Sequence, residues 1–232
     1  MQNVPTHIAI MMDGNGRWGE KRGLTRSQGH FAGSKTMENI IDASLELGVK
    51  ILTLYAFSSE NWTRPEEEVK YLMDLPVMYL NEKLPKFIQK DIRICVLGDI
   101  NGLPIHTREA VKTAVDQTSN NSKLIVNFAL NYGGRSEILS AIKSLINDIN
   151  NSKIADSDIT GDLIENYLYT KGQPEPDIVI RTGGEKRMSN FLLWQSSKSE
   201  WWFTDTLFPD FDNKLLLQAI NEVNQRKEIN IS

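Results

Sequence analysis

Four apolar runs of strand length end in turns of the same kind, and that recurrence narrows the possible folds more than any other feature of the chain. Residues 7–12 run into Asp13-Gly-Asn-Gly-Arg17, and residues 50–57 into Ser58-Ser-Glu-Asn-Trp-Thr-Arg64. Residues 123–130 run into Asn131-Tyr-Gly-Gly-Arg135, and residues 177–181 into Arg181-Thr-Gly-Gly-Glu-Lys-Arg187. Short apolar runs bounded by turn residues read as buried strands. Residues 92–97 form a fifth such run, and residues 191–194 are taken as a sixth strand. Segments of helical period lie between most of them. Strand–helix alternation predicts an α/β fold, with a mostly parallel central sheet of about six strands and helices on both faces. No repeat or linker divides the chain, so residues 1–232 are expected to form a single domain.

The helical segments are predicted at 31–47, from 66 past Leu84, and at 106–118, 136–149, 162–169 and 213–224, with a polar loop over 150–157. Gly48 suits the stop of the first. Pro65 followed by three glutamates suits the start of the second. Pro76 and Pro85 lie inside that second segment and predict a kink or a break. Its apolar stripe is Val69, Leu72, Met73, Val77, Leu80 and Leu84, which reads as core or as the wall of a pocket for a long apolar ligand.

In parallel sheets ligands bind beyond the C-terminal ends of the strands. Here each of the four turns delivers an arginine there, and an arginine fork matches phosphate oxygens. Asp13, beside two glycines and Arg17, suits a metal-bound or basic-cradled phosphate better than a simple helix cap. Gly14 and Gly16 let the backbone approach a ligand. Arg17, Arg64, Arg181 and Arg187 read as functional from their strand-end positions. Arg135 is as readily a structural ion pair, and His30 is either structural or a phosphate contact. Glu200, flanked by Trp201 and Trp202, is a candidate metal ligand. The pattern Gly14-Asn-Gly-Arg-Trp-Gly19 resembles a dinucleotide-binding loop. The second strand, however, ends in Phe57-Ser58 where that fold needs an acid, and no Walker sequence occurs.

The formal net charge of −4 argues against nucleic acid as a partner, so anion affinity must come from clustered arginines. The single cysteine, Cys95, sits in an apolar run and reads as a reduced, buried thiol of a cytoplasmic protein. The sequence shows no signal peptide and no apolar stretch long enough to span a membrane, so any membrane contact is expected to be peripheral or through a lipid substrate.

Taken in order, these motifs resemble the cis-prenyltransferases. They are residues 7–18, Gly29-His30, the stretch from Leu54 to Pro65, Asn131 to Arg135, and Ile180 to Gln195. The likeness is greatest to the bacterial undecaprenyl diphosphate synthases and covers almost the whole chain. It implies condensation of isopentenyl diphosphate units, each in cis, onto an allylic diphosphate such as farnesyl diphosphate. The implied product is a long polyprenyl diphosphate of undecaprenyl type, the precursor of a cell-wall lipid carrier. It also implies Mg²⁺ as cofactor, a homodimer, an apolar tunnel for the growing chain and a product that enters the membrane.

By matching position, the resemblance makes Asp13 the essential acid and a Mg²⁺ ligand, with Glu200 the second ligand. Gly14, Asn15, Gly16, Arg17, Trp18, Arg26 and His30 would hold the allylic diphosphate. Ser58, Ser59, Glu60, Asn61, Trp62 and Arg64 would surround the reacting centre, with Asn61 in the proton-acceptor position. Arg181, Arg187, Met188 and Ser189 would bind isopentenyl diphosphate. Lys198, Phe208 and the last eight residues, 225–232, depart from the family pattern. The tunnel walls are expected to be the stripe from Val69 to Leu80 on one side, and Ala56 and Val126 on the other.

Overall fold

The computed structural model describes residues 4–229, with no side-chain description for 227–229. The C-terminal departure from the family pattern therefore lies largely outside the described side chains. Six strands form the sheet: β1 (His7–Met11), β2 (Ile51–Ser58), β3 (Ile92–Leu97), β4 (Leu124–Tyr132), β5 (Ile178–Arg181) and β6 (Glu200–Phe203). Among the described residues, seven α-helices surround it: α1 (Asn15–Glu20), α2 (Arg26–Leu47), α3 (Glu66–Gln89), α4 (Ile105–Gln117), α5 (Gly134–Asn150), α6 (Gly161–Glu165) and α7 (Asn213–Ile229).

The strand order is β3-β4-β2-β1-β5-β6, and every neighbouring pair is parallel. From β1 the chain passes to β2 and then to the edge strand β3, inserts β4 between them, and returns to β5 on the other side of β1. The order therefore reverses between β1 and β5, and a parallel sheet opens a crevice at such a reversal. Asp13 follows β1 and Arg181 ends β5, so both stand at that crevice. Most strand residues are buried, as a sheet covered on both faces requires. One face packs against α2, α3, α4 and α7. The other carries a smaller cluster of Ala9, Met11, Val179, Phe191 and Leu192 with Tyr55, Tyr132 and Tyr169.

The strands at 7–12, 50–57, 92–97, 123–130 and 177–181 stand where the sequence places them, to within two residues. The sixth does not. Phe191 and Leu192 are fully buried, but in a turn, with Leu192 at φ 45°, and the edge strand is Glu200–Phe203. An apolar run marks burial, and here burial comes without strand pairing. The helix after Pro65 is also unbroken: α3 runs through Pro76 and Pro85. Each proline costs a helix interior roughly 3 kcal/mol. Burial of Leu72, Met73, Tyr79, Leu80 and Phe87 along the same helix outweighs it. The predicted helix over 162–169 shrinks to Gly161–Glu165. Among the described residues, no helix is long and apolar enough to cross a membrane.

Candidate active site

β1 delivers Asp13 to the crevice, and the turn after it is possible because Gly14 adopts φ 111°, a left-handed conformation that costs glycine little. A Cβ there would also lie 2.8–3.0 Å from Leu207. Two carboxylates, Asp13 and Glu68, organise most of the basic side chains that follow, largely through bonds between segments far apart in sequence.

The first acidic centre is Asp13. Arg181 is buried and donates to its Oδ2 from Nε at 2.9 Å, with Nη2 at 2.8 Å from the same oxygen. Arg181 Nη1 donates to Ser189 Oγ at 2.8 Å and to the carbonyl of Arg187. All three guanidinium nitrogens are thus engaged by protein. Arg181 orients Asp13 and the loop of Ser189, and Arg187 in that loop is exposed and paired with Glu185. Met188, beside it, is exposed.

The second centre is Glu68, the third of the glutamates that open α3. It accepts from Arg26 Nε at 3.0 Å and Nη2 at 3.3 Å, and from Arg64 Nη1 at 2.9 Å. His30 Nε2 lies 3.3 Å from it. Burial raises the carboxyl's pKa, but Arg26 and Arg64 outweigh burial and hold it down at about 2. Burial also lowers the pKa of His30, the largest influence on it, against the pull of Glu68. Gly16 makes room for this cluster, since a Cβ on it would lie 2.6 Å from the Arg26 guanidinium carbon. The sequence reading did not find Glu68. The available signal was its i,i+4 spacing from Arg64.

β2 ends in the 3-10 turn Ser59–Thr63. Ser58 N–H donates to Asn61 Oδ1 at 3.0 Å, which aims the Asn61 amide. Ser59 Oγ bonds Glu60 at 3.1 Å. Trp62 packs edge-on to Phe57 and donates to Asn131 Oδ1 at 2.8 Å. One polar pocket is lined by Asp13, Ser58, Glu60, Asn61, Arg64, Arg181, Arg187 and Ser189, together with Tyr55 and Asn190, neither of which the sequence reading singled out as a site residue.

Not every expected residue lies there. Arg17 is exposed, its guanidinium close over Gly183. Trp18 faces outward, donating to Asp210 Oδ1 at 2.6 Å beneath the guanidinium of Arg22. Asn15 and His30 line a second cavity. Glu200 requires a correction. It pairs in register with Ile178, which is level with Ile8, five residues before Asp13. At about 3.3 Å per residue the two carboxylates are separated by roughly 16 Å along the strands. Glu200 lies 4.0 Å from Arg226. Within one chain the parallel register keeps it from sharing an ion with Asp13. The described residues contain no cluster of three or more metal-ligating side chains. An ion held by one carboxylate and by substrate phosphates fits Asp13, because Mg²⁺ sites commonly have that form.

The second cavity is apolar and lies between α2, α3 and the sheet. Its wall includes Met37, Ala56, Leu72, Tyr79, Leu80 and Phe128. Of the expected stripe, Leu72 and Leu80 line it, joined by Leu75, Pro76 and Tyr79. Met73 is instead packed in the core, and Phe128 and Leu130 stand where Val126 was expected. Met12 lines both cavities, so they adjoin at the end of β1.

Residues 11–229 match the model of the protein family described as "Putative undecaprenyl diphosphate synthase". The isoprenyl transferase of Streptococcus mutans is 50% identical over 230 residues, covering 97% of this chain and 92% of that protein. The isoprenyl transferase of Geobacillus kaustophilus is 49% identical, covering 96% and 87%. Among solved structures, lavandulyl diphosphate synthase from Lavandula x intermedia, in complex with dimethylallyl diphosphate, superposes with a TM-score of 0.92 at 34% identity and 95% coverage of both chains. A "probable undecaprenyl diphosphate synthase" from Campylobacter jejuni superposes with a TM-score of 0.78 at 31% identity and 96% coverage of both.

Proposed function

The chain belongs to the cis-prenyltransferase family of undecaprenyl diphosphate synthases, and from that premise we propose that it extends farnesyl diphosphate with successive isopentenyl diphosphate units to a long product of undecaprenyl type. The observation that carries this reading is the junction at Met12, where a pocket of arginines and carboxylates opens beside an apolar cavity. A diphosphate suits the first, and a growing hydrocarbon suits the second.

In each cycle the allylic C–O bond breaks and diphosphate leaves with the electron pair. The double bond of isopentenyl diphosphate attacks the allylic carbon, and a proton departs from C2. Asp13 would hold a Mg²⁺ ion, which when bound would supply positive charge against that developing on the leaving group. Arg181 keeps the Asp13 carboxylate turned to the pocket. Arg26, Arg64 and His30, gathered by Glu68, face the leaving diphosphate, and Arg187 with Ser189 faces the homoallylic one. A primary amide is a weak base, so Asn61 positions the proton's path toward a diphosphate oxygen. Moving the chain into the apolar cavity favours elongation, since each unit of five carbons gains about 4 kcal/mol on leaving water at roughly 0.8 per carbon.

The protein is proposed to act as a homodimer in the cytoplasm, at the inner membrane face, where its product partitions. Leu139, Ile142 and Ile146 form an exposed apolar stripe on α5 that a second copy would cover. The decisive test is incubation with farnesyl diphosphate, labelled isopentenyl diphosphate and Mg²⁺, followed by sizing of the products. A ladder ending near eleven isoprene units is expected. A single condensation, or a product built from dimethylallyl units alone, would overturn the chain-elongation reading.

A further inference from the structure

The loop after β5 contains an unusual concentration of left-handed backbone. Six described non-glycine residues have positive φ, and three of them, Ser189 at 43°, Asn190 at 60° and Leu192 at 45°, fall within four positions. Such conformations persist only where their surroundings hold them. Two segments converge on Asn190. Its Nδ2 donates to Glu60 Oε1 at 2.6 Å, from the turn after β2. Its Oδ1 accepts from the Arg135 N–H at 2.8 Å, and its carbonyl accepts from the Gly134 N–H at 2.7 Å, both at the start of α5. Asparagine is the residue that combines a tolerated left-handed backbone with a donor and an acceptor on one short side chain.

Gly133 completes the arrangement. Its φ of −158° is extended backbone open to any residue. A Cβ there, however, would lie 2.6 Å from Ser59 Oγ and 2.7 Å from Asn190 Nδ2. The glycine therefore serves the close approach of these two side chains. Neighbouring bonds point the same way: Tyr55 OH donates to the carbonyl of Ser189 at 3.4 Å, and Arg181 donates to its hydroxyl at 2.8 Å.

We infer that Asn190 is a positioning residue that clips the loop bearing Arg187 and Ser189 to Glu60 and to the start of α5, and so presets the pocket for the homoallylic diphosphate. The assignment of that pocket rests on the function proposed above; the clip itself rests on the geometry. Asn190 touches no reacting atom in this account. It acts through Ser189, Arg187 and Glu60.

Two variants separate the contributions. Asn190→Gly keeps the left-handed backbone and removes both side-chain bonds. Asn190→Asp keeps an acceptor for the Arg135 N–H but removes the donor to Glu60 and sets a like charge beside it. Without substrate, Asn190→Gly should speed amide hydrogen exchange in peptides covering 57–66 and 133–137. Asn190→Asp should speed it at 57–66 while leaving 133–137 slow. In steady-state assays Asn190→Gly should raise the KM for isopentenyl diphosphate about ten- to a hundredfold, the range expected when a charge-assisted hydrogen bond is lost. The KM for farnesyl diphosphate should change less than about twofold.

Unchanged exchange in both peptides would overturn the clip. Equal rises in both KM values would reduce Asn190 to a merely structural residue and overturn the positioning role. If the unmodified protein failed to elongate farnesyl diphosphate, the proposed function would fall, and the exchange experiment would still decide the clip.

Discussion

The polar pocket and the apolar cavity share Met12, yet different physics holds each one. In and beside the pocket, charged and polar groups are set against one another at fixed distances: Arg181 on Asp13, Arg26 and Arg64 on Glu68, and Asn190 on Glu60. Each bond depends on residue type, because a carboxylate or guanidinium has no substitute of equal geometry. In the cavity, the wall is made by burial and dispersion, and what matters is volume. Two polar atoms there, Tyr79 OH and Asn15 Oδ1, are buried without a hydrogen-bond partner. Substitutions in the pocket should therefore change whether and how fast the reaction runs. Substitutions in the cavity should change what it makes.

The most severe break in that contrast is Asp13→Ala. Losing one group that stabilises developing charge typically costs about a hundred- to a thousandfold in turnover. Because the Asp13 side chain is 39% exposed, the fold should survive. Circular dichroism and a single-turnover assay would check both halves. Near-normal turnover would remove Asp13 from the mechanism.

Next in size are the two arginines of the homoallylic loop. Arg187→Ala should raise the KM for isopentenyl diphosphate roughly ten- to a hundredfold with a smaller effect on kcat. Arg181→Ala should instead lower kcat, since it frees Asp13 and leaves that carboxylate misdirected. Kinetics with each substrate varied would distinguish them, and identical effects from both would show that Arg181 is not an orienting group.

On the apolar side, Ala56 lines the cavity on β2, two residues before Ser58, which lines the polar pocket. Ala56→Leu should shorten the product while the first condensations continue at a near-normal rate. Mass analysis of the polyprenyl diphosphates is the check. An unchanged length distribution in a folded, active variant would mean that Ala56 does not face the growing chain.

The smallest effect is on stability. Glu68 has its folded-state pKa lowered from 4.5 to about 2, so its ionised form favours the fold. That contribution is fully present above about pH 4.5 and is lost as pH falls from there toward 2. Melting temperature should therefore fall more steeply with acid in the unmodified protein than in Glu68→Gln, by a few degrees over that window. Parallel acid curves would show that the cluster adds nothing to stability.

Much of the fold was legible in the chain because it rests on local period. Five strands, the parallel α/β class and the glycine turn after β1 are all visible in spacing alone. The misplaced sixth strand shows the limit. Phe191-Leu192-Leu193-Trp194 and Glu200-Trp-Trp-Phe203 are both apolar enough to be strands. Which one pairs with β5 depends on the path of the chain between them. Likewise Pro76 and Pro85 predict a break when read locally, and only the buried face of α3 explains its continuity.

The sequence by itself determined which chemistry stands at the strand ends: arginines, a carboxylate, glycines and an amide, each placed by the strand that precedes it. Only the tertiary structure decided the pairings. Asp13 and Arg181 are 168 residues apart, Glu60 and Asn190 are 130 apart, and Arg26 and Glu68 are 42 apart. Periodicity carries no information over such separations, because hydrogen bonds and ion pairs depend on distance through space. The same reason removes Glu200 from the side of Asp13. Its residue type suited a metal, and the register of β6 against β5 set it at the other end of the sheet.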